Sequence, residues 1–123
     1  MKYILLIDDD EQFRTMLGLV LTEAGYEVQE ASDGREGARL YRTRPADLVI
    51  TDLIMPEQEG VETIKEIRSI CRDAKVIAMS GGGRNNGRDY LKIAKAFGAN
   101  RVLAKPFLNR EILEAVESLL QES

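Results

Sequence analysis

Short apolar runs alternate with longer segments of helical periodicity along the chain, and this alternation leaves few folds open. The apolar runs predict strands at residues 3–7, 27–30, 48–51, 76–79 and 101–104. The segments between them predict helices from Asp10 to Gly25, near residues 34–42, 61–71 and 89–97, and after Asn109. Five strands in strict alternation with five helices indicate an α/β protein, in which helices cover both faces of a parallel sheet.

The composition indicates one domain of ordinary size. The 123 residues are 44% hydrophobic and 31% charged, which is typical of a globular protein that buries its core without disulfides. No linker, repeat or low-complexity tract divides the chain. We therefore expect a single domain over residues 1–123, with no output domain after the last predicted helix.

The charge balance and the rare residue types exclude several functions. A net charge of −4 gives no basic surface for nucleic acid, and no apolar stretch approaches the ~20 residues of a membrane span. The chain has no histidine and so cannot be a phosphohistidine carrier. The single cysteine, Cys71, fits a reducing compartment, and without a targeting segment we expect a cytoplasmic location.

Acidic residues stand where two of the predicted strands end. Asp8, Asp9 and Asp10 follow the first apolar run, and Asp52 follows the run at 48–51. In an open parallel sheet these strand ends lie at one edge, where ligands of such folds bind. Carboxylates that close together raise one another's pKa or require a cation between them, and a hard divalent ion is the natural occupant. Asp10 is also the best candidate for the N-cap of the first helix.

A hydroxyl and an ammonium complete the pattern. Ser80 follows the run at 76–79, and Lys105 follows the run at 101–104. A cation, an acidic nucleophile, a hydroxyl and an ammonium together describe a place to hold a phosphoryl group. Taken singly, each residue has an ordinary alternative as a helix cap, a loop residue or a surface lysine.

With these motifs the chain resembles the receiver domains of response regulators, in particular the stand-alone chemotaxis type. The motifs are Asp8-Asp9, Asp52-Leu53-Ile54-Met55-Pro56, Met79-Ser80-Gly81, and Gly98-Ala99 followed by Lys105-Pro106-Phe107. Each motif alone is weak, but all four occur in order, each after a predicted strand. The resemblance implies a flavodoxin-like doubly wound (βα)5 fold with a five-stranded parallel sheet in the order 2-1-3-4-5.

The resemblance also implies what the acidic residues do. Asp52 would be the phosphoacceptor and would take a phosphoryl group from a phosphohistidine on a sensor histidine kinase or a histidine phosphotransfer protein. The cofactor would be Mg²⁺, held by Asp9 directly, Asp8 through water, Asp52 itself and the backbone carbonyl of Ile54. Such a chain is no enzyme beyond its own phosphorylation and dephosphorylation. Its phosphorylation would change its surface for an unknown protein target, with no direct contact with DNA or membrane.

Two further roles follow from the same resemblance. Lys105 would be a compact positive charge on the phosphoryl oxygens, and the hydroxyl of Ser80 would donate a hydrogen bond to the same group. The peptide bond between Lys105 and Pro106 would be cis.

The chain departs from the family at Val102, three residues before Lys105, where relatives usually carry an aromatic. That aromatic swings inward when the phosphate arrives, and valine cannot do the same. Two interpretations of this departure from the family stay open. Signalling through the glycine-rich loop after Ser80 and the helix that follows is the one we favour, and a largely passive phosphate acceptor is the other.

Two alternative functions also stay open. A pseudo-receiver would keep the fold and bind a partner without ever carrying phosphate. A small phosphatase with an aspartyl-phosphate intermediate would usually need a second aspartate two residues after the nucleophile as general acid, and Ile54 occupies that position. The phosphatase is therefore the weaker of the two alternatives.

Overall fold

The structure is a computed structural model and describes residues 1–53, 59–81, 92, 95–96 and 98–121. Its strands are β1 (Tyr3–Ile7), β2 (Glu27–Ala31), β3 (Leu48–Asp52), β4 (Val76–Gly81) and β5 (Arg101–Lys105). Its helices are α1 (Glu11–Glu23), α2 (Gly34–Thr43), α3 (Glu59–Ile70) and α4 (Asn109–Gln121). Of the helix predicted near 89–97, residues 92, 95 and 96 are helical, and the other residues of that range lie outside the described part of the chain.

The five strands form one parallel sheet in the order β2-β1-β3-β4-β5, which confirms the predicted α/β architecture and strand order. Strand β1 lies between β2 and β3, and β3 lies between β1 and β4. Ile7 pairs with Thr51, and Asp52 pairs with Met79. This register brings the carboxyl ends of β1, β3 and β4 level with one another at one edge of the sheet.

Four strands run further than the apolar pattern predicted, β2 by Ala31 and three others through polar residues. Strand β3 includes Asp52, β4 continues through Gly81, and β5 includes Lys105. The pattern ended too early because polar residues interrupt the apolar runs while the hydrogen-bonded ladder continues. The N–H of Leu53, for example, still donates to the carbonyl of Met79 at 2.8 Å. The polar residues therefore belong to the strands themselves, which hold them more rigidly than loops would.

Side chains of β1 alternate between two hydrophobic cores. Leu5 and Ile7 pack with Tyr41 of α2 and with Ile64 of α3. Ile4 and Leu6 face the other side of the sheet, where the buried partners are Leu17, Leu21, Ile112, Val116 and Leu119 of α1 and α4. Because both faces are covered, the β1 side chains are buried without exception, as expected of a central parallel strand. Among the described residues, none of the helices combines the length and hydropathy that a bilayer span requires.

Helix α1 starts at the acidic edge and is capped as the sequence predicted. The side chain of Asp10 accepts a hydrogen bond from the N–H of Phe13 at 3.1 Å, which confirms Asp10 as the N-cap. After the helix, Gly25 has a φ of +102°, a conformation that glycine adopts without strain. The start of α1 is thus tied to the residues that follow β1.

Helix α2 packs against β1 through a glycine that has no room for a side chain. A Cβ added to Gly37 would lie 2.8 Å from Cγ1 of Ile7, and closer still to its Cδ1. We expect Gly37→Ala to lower the free energy of unfolding by about 1–2 kcal/mol, because the overpacking exceeds the gain in helix propensity. Urea denaturation measures the effect. The second variant combines Gly37→Ala with Ile7→Val, which removes Cδ1. We expect this double variant to lose less free energy of unfolding than the sum of the two single losses, and simple additivity would contradict the proposed clash.

Candidate functional site

Three carboxylates meet at the carboxyl edge of the sheet. Asp8 and Asp9 follow β1 directly, and Asp52 is the last residue of β3. One carboxylate oxygen of each lies within 4.8 Å of the others. Asp8 and Asp52 are buried, whereas Asp9 is exposed, so the group is open to solvent on the side of Asp9. This convergence arises because β1 and β3 are neighbours that run in the same direction.

Lys105 at the end of β5 joins the two buried carboxylates. Its Nζ lies 2.8 Å from Oδ2 of Asp8 and 3.3 Å from Oδ2 of Asp52. Burial by itself lowers the pKa of the Lys105 ammonium, but its hydrogen bonds and Coulombic attraction to Asp8 and Asp52 outweigh burial, so its pKa lies above the usual value. The ammonium is therefore charged throughout the neutral pH range. The peptide bond from Lys105 to Pro106 is cis, as the resemblance implied.

The remaining predicted site residues are Ser80 and Ile54. Ser80 is buried in β4, one residue beyond Met79, which pairs with Asp52. Ser80 itself pairs with Ala104 of β5, the residue directly before Lys105. Ser80 therefore lies in the sheet between the strands that carry Asp52 and Lys105. Ile54, predicted to offer its carbonyl to a metal, lies outside the described residues, as does most of the glycine-rich segment after Ser80.

The structure also shows how the backbone of Asp8 is held, which the sequence pattern did not predict. Arg14 of α1 donates from Nη1 to the carbonyl oxygen of Asp8 at 2.7 Å and from Nε to Glu30 of β2 at 2.9 Å. The carboxylate of Asp8 also accepts the N–H of Asp10 at 2.9 Å. The sequence did offer one signal for the contact of Arg14. A basic residue in the first turns of a helix opposes the helix dipole, which suggests another partner nearby.

Phe13 is the second residue whose place only the structure shows. Phe13 lies at helical spacing from the buried Leu17 and Leu21, and its ring is half-buried at the border of the core. Its ring face also lies under the ammonium of Lys105, with Nζ 4.0 Å from the ring centroid. Phe107 meets the same ring edge to face, with 6.0 Å between centroids and an interplanar angle of 83°.

The donor set of this site fits Mg²⁺. All three side chains offer oxygen, the ligand type that this hard cation prefers. Three carboxylates against the one ammonium of Lys105 leave two negative charges, which a divalent cation neutralises. The exposed carboxylate of Asp9 leaves room for the water ligands that Mg²⁺ usually retains.

Comparison with known proteins agrees with this geometry. The response regulator receiver domain family matches residues 4–117, which is nearly the whole chain. The chain belongs to this family. It is a receiver domain of two-component signalling, similar to the CheY proteins.

Two relatives align with this chain along almost their full length. The chemotaxis protein CheY of Thermotoga maritima is 38% identical over 96% of this chain and 97% of its own. The receiver protein CpdR of Brucella abortus is 32% identical over 98% of each chain. Among solved structures, a CheY-like receiver domain from Methanospirillum hungatei superposes with a TM-score of 0.90 at 26% identity, covering 99% of this chain and 95% of that one.

Proposed function

We propose that this receiver domain is switched by phosphorylation of Asp52. The observation that carries the proposal is the buried Asp52 carboxylate, which lies beside the Lys105 ammonium and within 4.8 Å of the Asp8 and Asp9 oxygens. A carboxylate nucleophile next to fixed positive charge is what phosphoryl transfer requires of a protein, since the reaction depends on positioning and charge neutralisation. The donor is a phosphohistidine on a sensor kinase or a phosphotransfer protein.

The transfer step is a substitution at phosphorus. An oxygen of Asp52 forms a bond to phosphorus while the bond from phosphorus to the donor's imidazole nitrogen breaks, and the electron pair returns to that nitrogen. The product is an acyl phosphate on Asp52. Lys105 already contacts an oxygen of Asp52 at 3.3 Å and can follow the negative charge onto the phosphoryl oxygens. Ser80, on the neighbouring strand, donates its hydroxyl hydrogen to the same group.

Asp8, Asp9 and Asp52 would hold Mg²⁺ through their carboxylates. The resemblance to receiver domains adds the carbonyl of Ile54, which lies outside the described residues. When bound, the ion neutralises negative charge on the phosphoryl oxygens. In the unphosphorylated chain, the Lys105 ammonium and the N–H of Asp10 both donate to the carboxylate of Asp8 and hold it in place. The exposed side of the group, at Asp9, is where the ion and the donor enter.

The proposal includes a signalling role rather than turnover of outside substrates. The chain catalyses only its own phosphorylation and dephosphorylation, and the modified domain presents a changed surface to a protein target. Such a two-component module works in the cytoplasm, where its kinase donor has access to ATP. CheY relatives are named as chemotaxis proteins, and a protein target rather than DNA fits the acidic charge of this chain.

We expect a small acyl phosphate to transfer one phosphoryl group to the chain when Mg²⁺ is present. Without the ion, repulsion between the donor and the acidic group is expected to slow the reaction at least about tenfold. Intact-mass spectrometry over time measures the adduct, with excess chelator as the control. A pseudo-receiver would form no adduct with either sample, and a phosphatase would instead release inorganic phosphate continuously.

A further inference from the structure

The ring of Phe13 forms part of a closed set of contacts around the acidic site. Asp8 accepts the N–H of Asp10, and Asp10 accepts the N–H of Phe13. The ring of Phe13 faces the Lys105 ammonium, and that ammonium returns to Asp8 at 2.8 Å. The aromatic ring is therefore fixed to the same backbone segment that carries the metal-binding carboxylates. Two hydrogen bonds, of 2.9 and 3.1 Å, set the position of the Phe13 backbone relative to Asp8.

The ammonium of Lys105 has three N–H donors and three neighbours that attract positive charge, two carboxylates and one aromatic ring. Oδ2 of Asp8 and Oδ2 of Asp52 accept hydrogen bonds from the ammonium at 2.8 and 3.3 Å. The face of Phe13, which carries negative π density, lies 4.0 Å away. A lysine side chain is otherwise flexible, and a ring at this distance restricts where its charge can rest.

We propose that Phe13 is a positioning residue, whose ring face holds the Lys105 ammonium between Asp8 and Asp52 ready for the incoming phosphoryl group. The role rests on the proposed phosphorylation of Asp52. Fixed charge accelerates such a transfer because no reorganisation is needed when negative charge moves onto the phosphoryl oxygens. Phe107, packed edge-on against Phe13, keeps the ring from rotating away.

This position of the ring also bears on the departure at Val102. Val102 is half-buried on β5 and carries no aromatic ring, whereas the ring of Phe13 approaches the site from α1. The aromatic ring beside the phosphoryl-binding lysine comes from α1 rather than from β5. The contact joins the lysine to the helix that presents Met16 and Leu19 to solvent.

Two substitutions without a ring test the proposal, Phe13→Leu and Phe13→Met, with Phe13→Tyr as the variant that restores it. Tyr26→Leu is the matched control, because Tyr26 is also a half-buried aromatic at the border of the same core but lies after the C-terminal end of α1, directly before β2. All four variants are first compared with the native chain by thermal unfolding. Two readouts follow, one on the position of the lysine and one on the reaction.

The first readout is the NMR spectrum of the unphosphorylated chain. A ring 4.0 Å from the ammonium shifts the nearby Lys105 methylene protons upfield, and we expect that shift in the native chain and in Phe13→Tyr but not in the two ringless variants. The second is the initial rate of phosphorylation by an acyl phosphate at saturating Mg²⁺. We expect Phe13→Leu and Phe13→Met to lower it about two- to tenfold, Phe13→Tyr to restore it, and Tyr26→Leu to leave it unchanged.

Unshifted Lys105 protons in the native chain would overturn the proposed contact, and native rates in both ringless variants would overturn the positioning role. These outcomes differ from failure of the proposed function. If the native chain itself takes up no phosphate, the proposal that Asp52 is the acceptor falls with the role in transfer, while the NMR comparison still decides whether the ring holds the lysine.

Discussion

Asp52→Asn is expected to abolish phosphoryl transfer to this receiver domain. Asparagine keeps the size of the side chain but provides no anionic oxygen to attack phosphorus, so the rate should fall by at least about 10³-fold. The fold should survive, because the change removes one of three clustered negative charges and leaves the backbone of β3 in place. Intact-mass spectrometry with Mg²⁺ and an acyl phosphate measures the adduct, and thermal unfolding checks the fold.

Asp33→Asn is the matched control for this experiment. It makes the same chemical change, and Asp33 caps α2 by accepting the N–H of Glu36 at 2.8 Å, a role that asparagine fills equally well. We expect native phosphorylation from this variant. An adduct that persists in Asp52→Asn would place the acceptor elsewhere, and tandem mass spectrometry of the modified chain would then locate it.

Gly60→Ala is expected to damage both stability and phosphorylation, because α3 passes very close to the end of β3. A Cβ at position 60 would lie 2.7 Å from Cα of Leu53 and 3.0 Å from the carbonyl carbon of Asp52. These are backbone atoms at the hydrogen-bonded end of β3 and of the residue after it, so they give way only by moving Asp52. We expect the free energy of unfolding to fall by about 2–3 kcal/mol. A displacement of the nucleophile of about 1 Å is expected to slow phosphorylation roughly 10- to 100-fold.

Gly18→Ala in α1 separates this effect from the general result of adding a methyl group to a helix. The nearest atom to a Cβ there is a carboxylate oxygen of Glu30 at 3.1 Å, at the end of a flexible side chain that can shift. We expect a change in stability within about 1 kcal/mol and a native rate. Urea denaturation and the initial rate measure the two quantities for both variants. A native phosphorylation rate in Gly60→Ala would show that Asp52 does not depend on this close approach.

Much of the fold could be predicted from local patterns, and some of it could not. The alternation of apolar runs and helical segments predicted a parallel α/β sheet, and Asp10 and Gly25 marked the ends of α1 correctly. The order of the strands does not follow from that alternation and came from the resemblance to receiver domains. The ends of β3, β4 and β5 were placed too early, because hydrophobicity reports burial whereas a strand ends where its ladder of hydrogen bonds ends.

The apolar residues at helical spacing along α1 are not all buried. Met16 belongs to the run of apolar residues at helical spacing, yet it is 55% exposed, while Leu17 and Leu21 are buried. A stripe at spacings of three and four is wider than the strip of helix that the sheet covers. Which of its members reach the core depends on how the helix is rotated about its axis. That rotation is set by packing against β1 and α4 rather than by α1 itself.

The sequence by itself determined that acidic residues, a hydroxyl and a lysine would come to one edge of a parallel sheet, because all strands of such a sheet end on the same side. Only the tertiary structure decided which of these groups touch. Asp8 and Lys105 are 97 residues apart, and their contact depends on strand order, register and side-chain packing together. The same holds for Phe13 beneath the ammonium and for Gly60 against the backbone of Asp52. Local patterning reaches only a few residues along the chain, whereas these distances are set by the packing of whole elements.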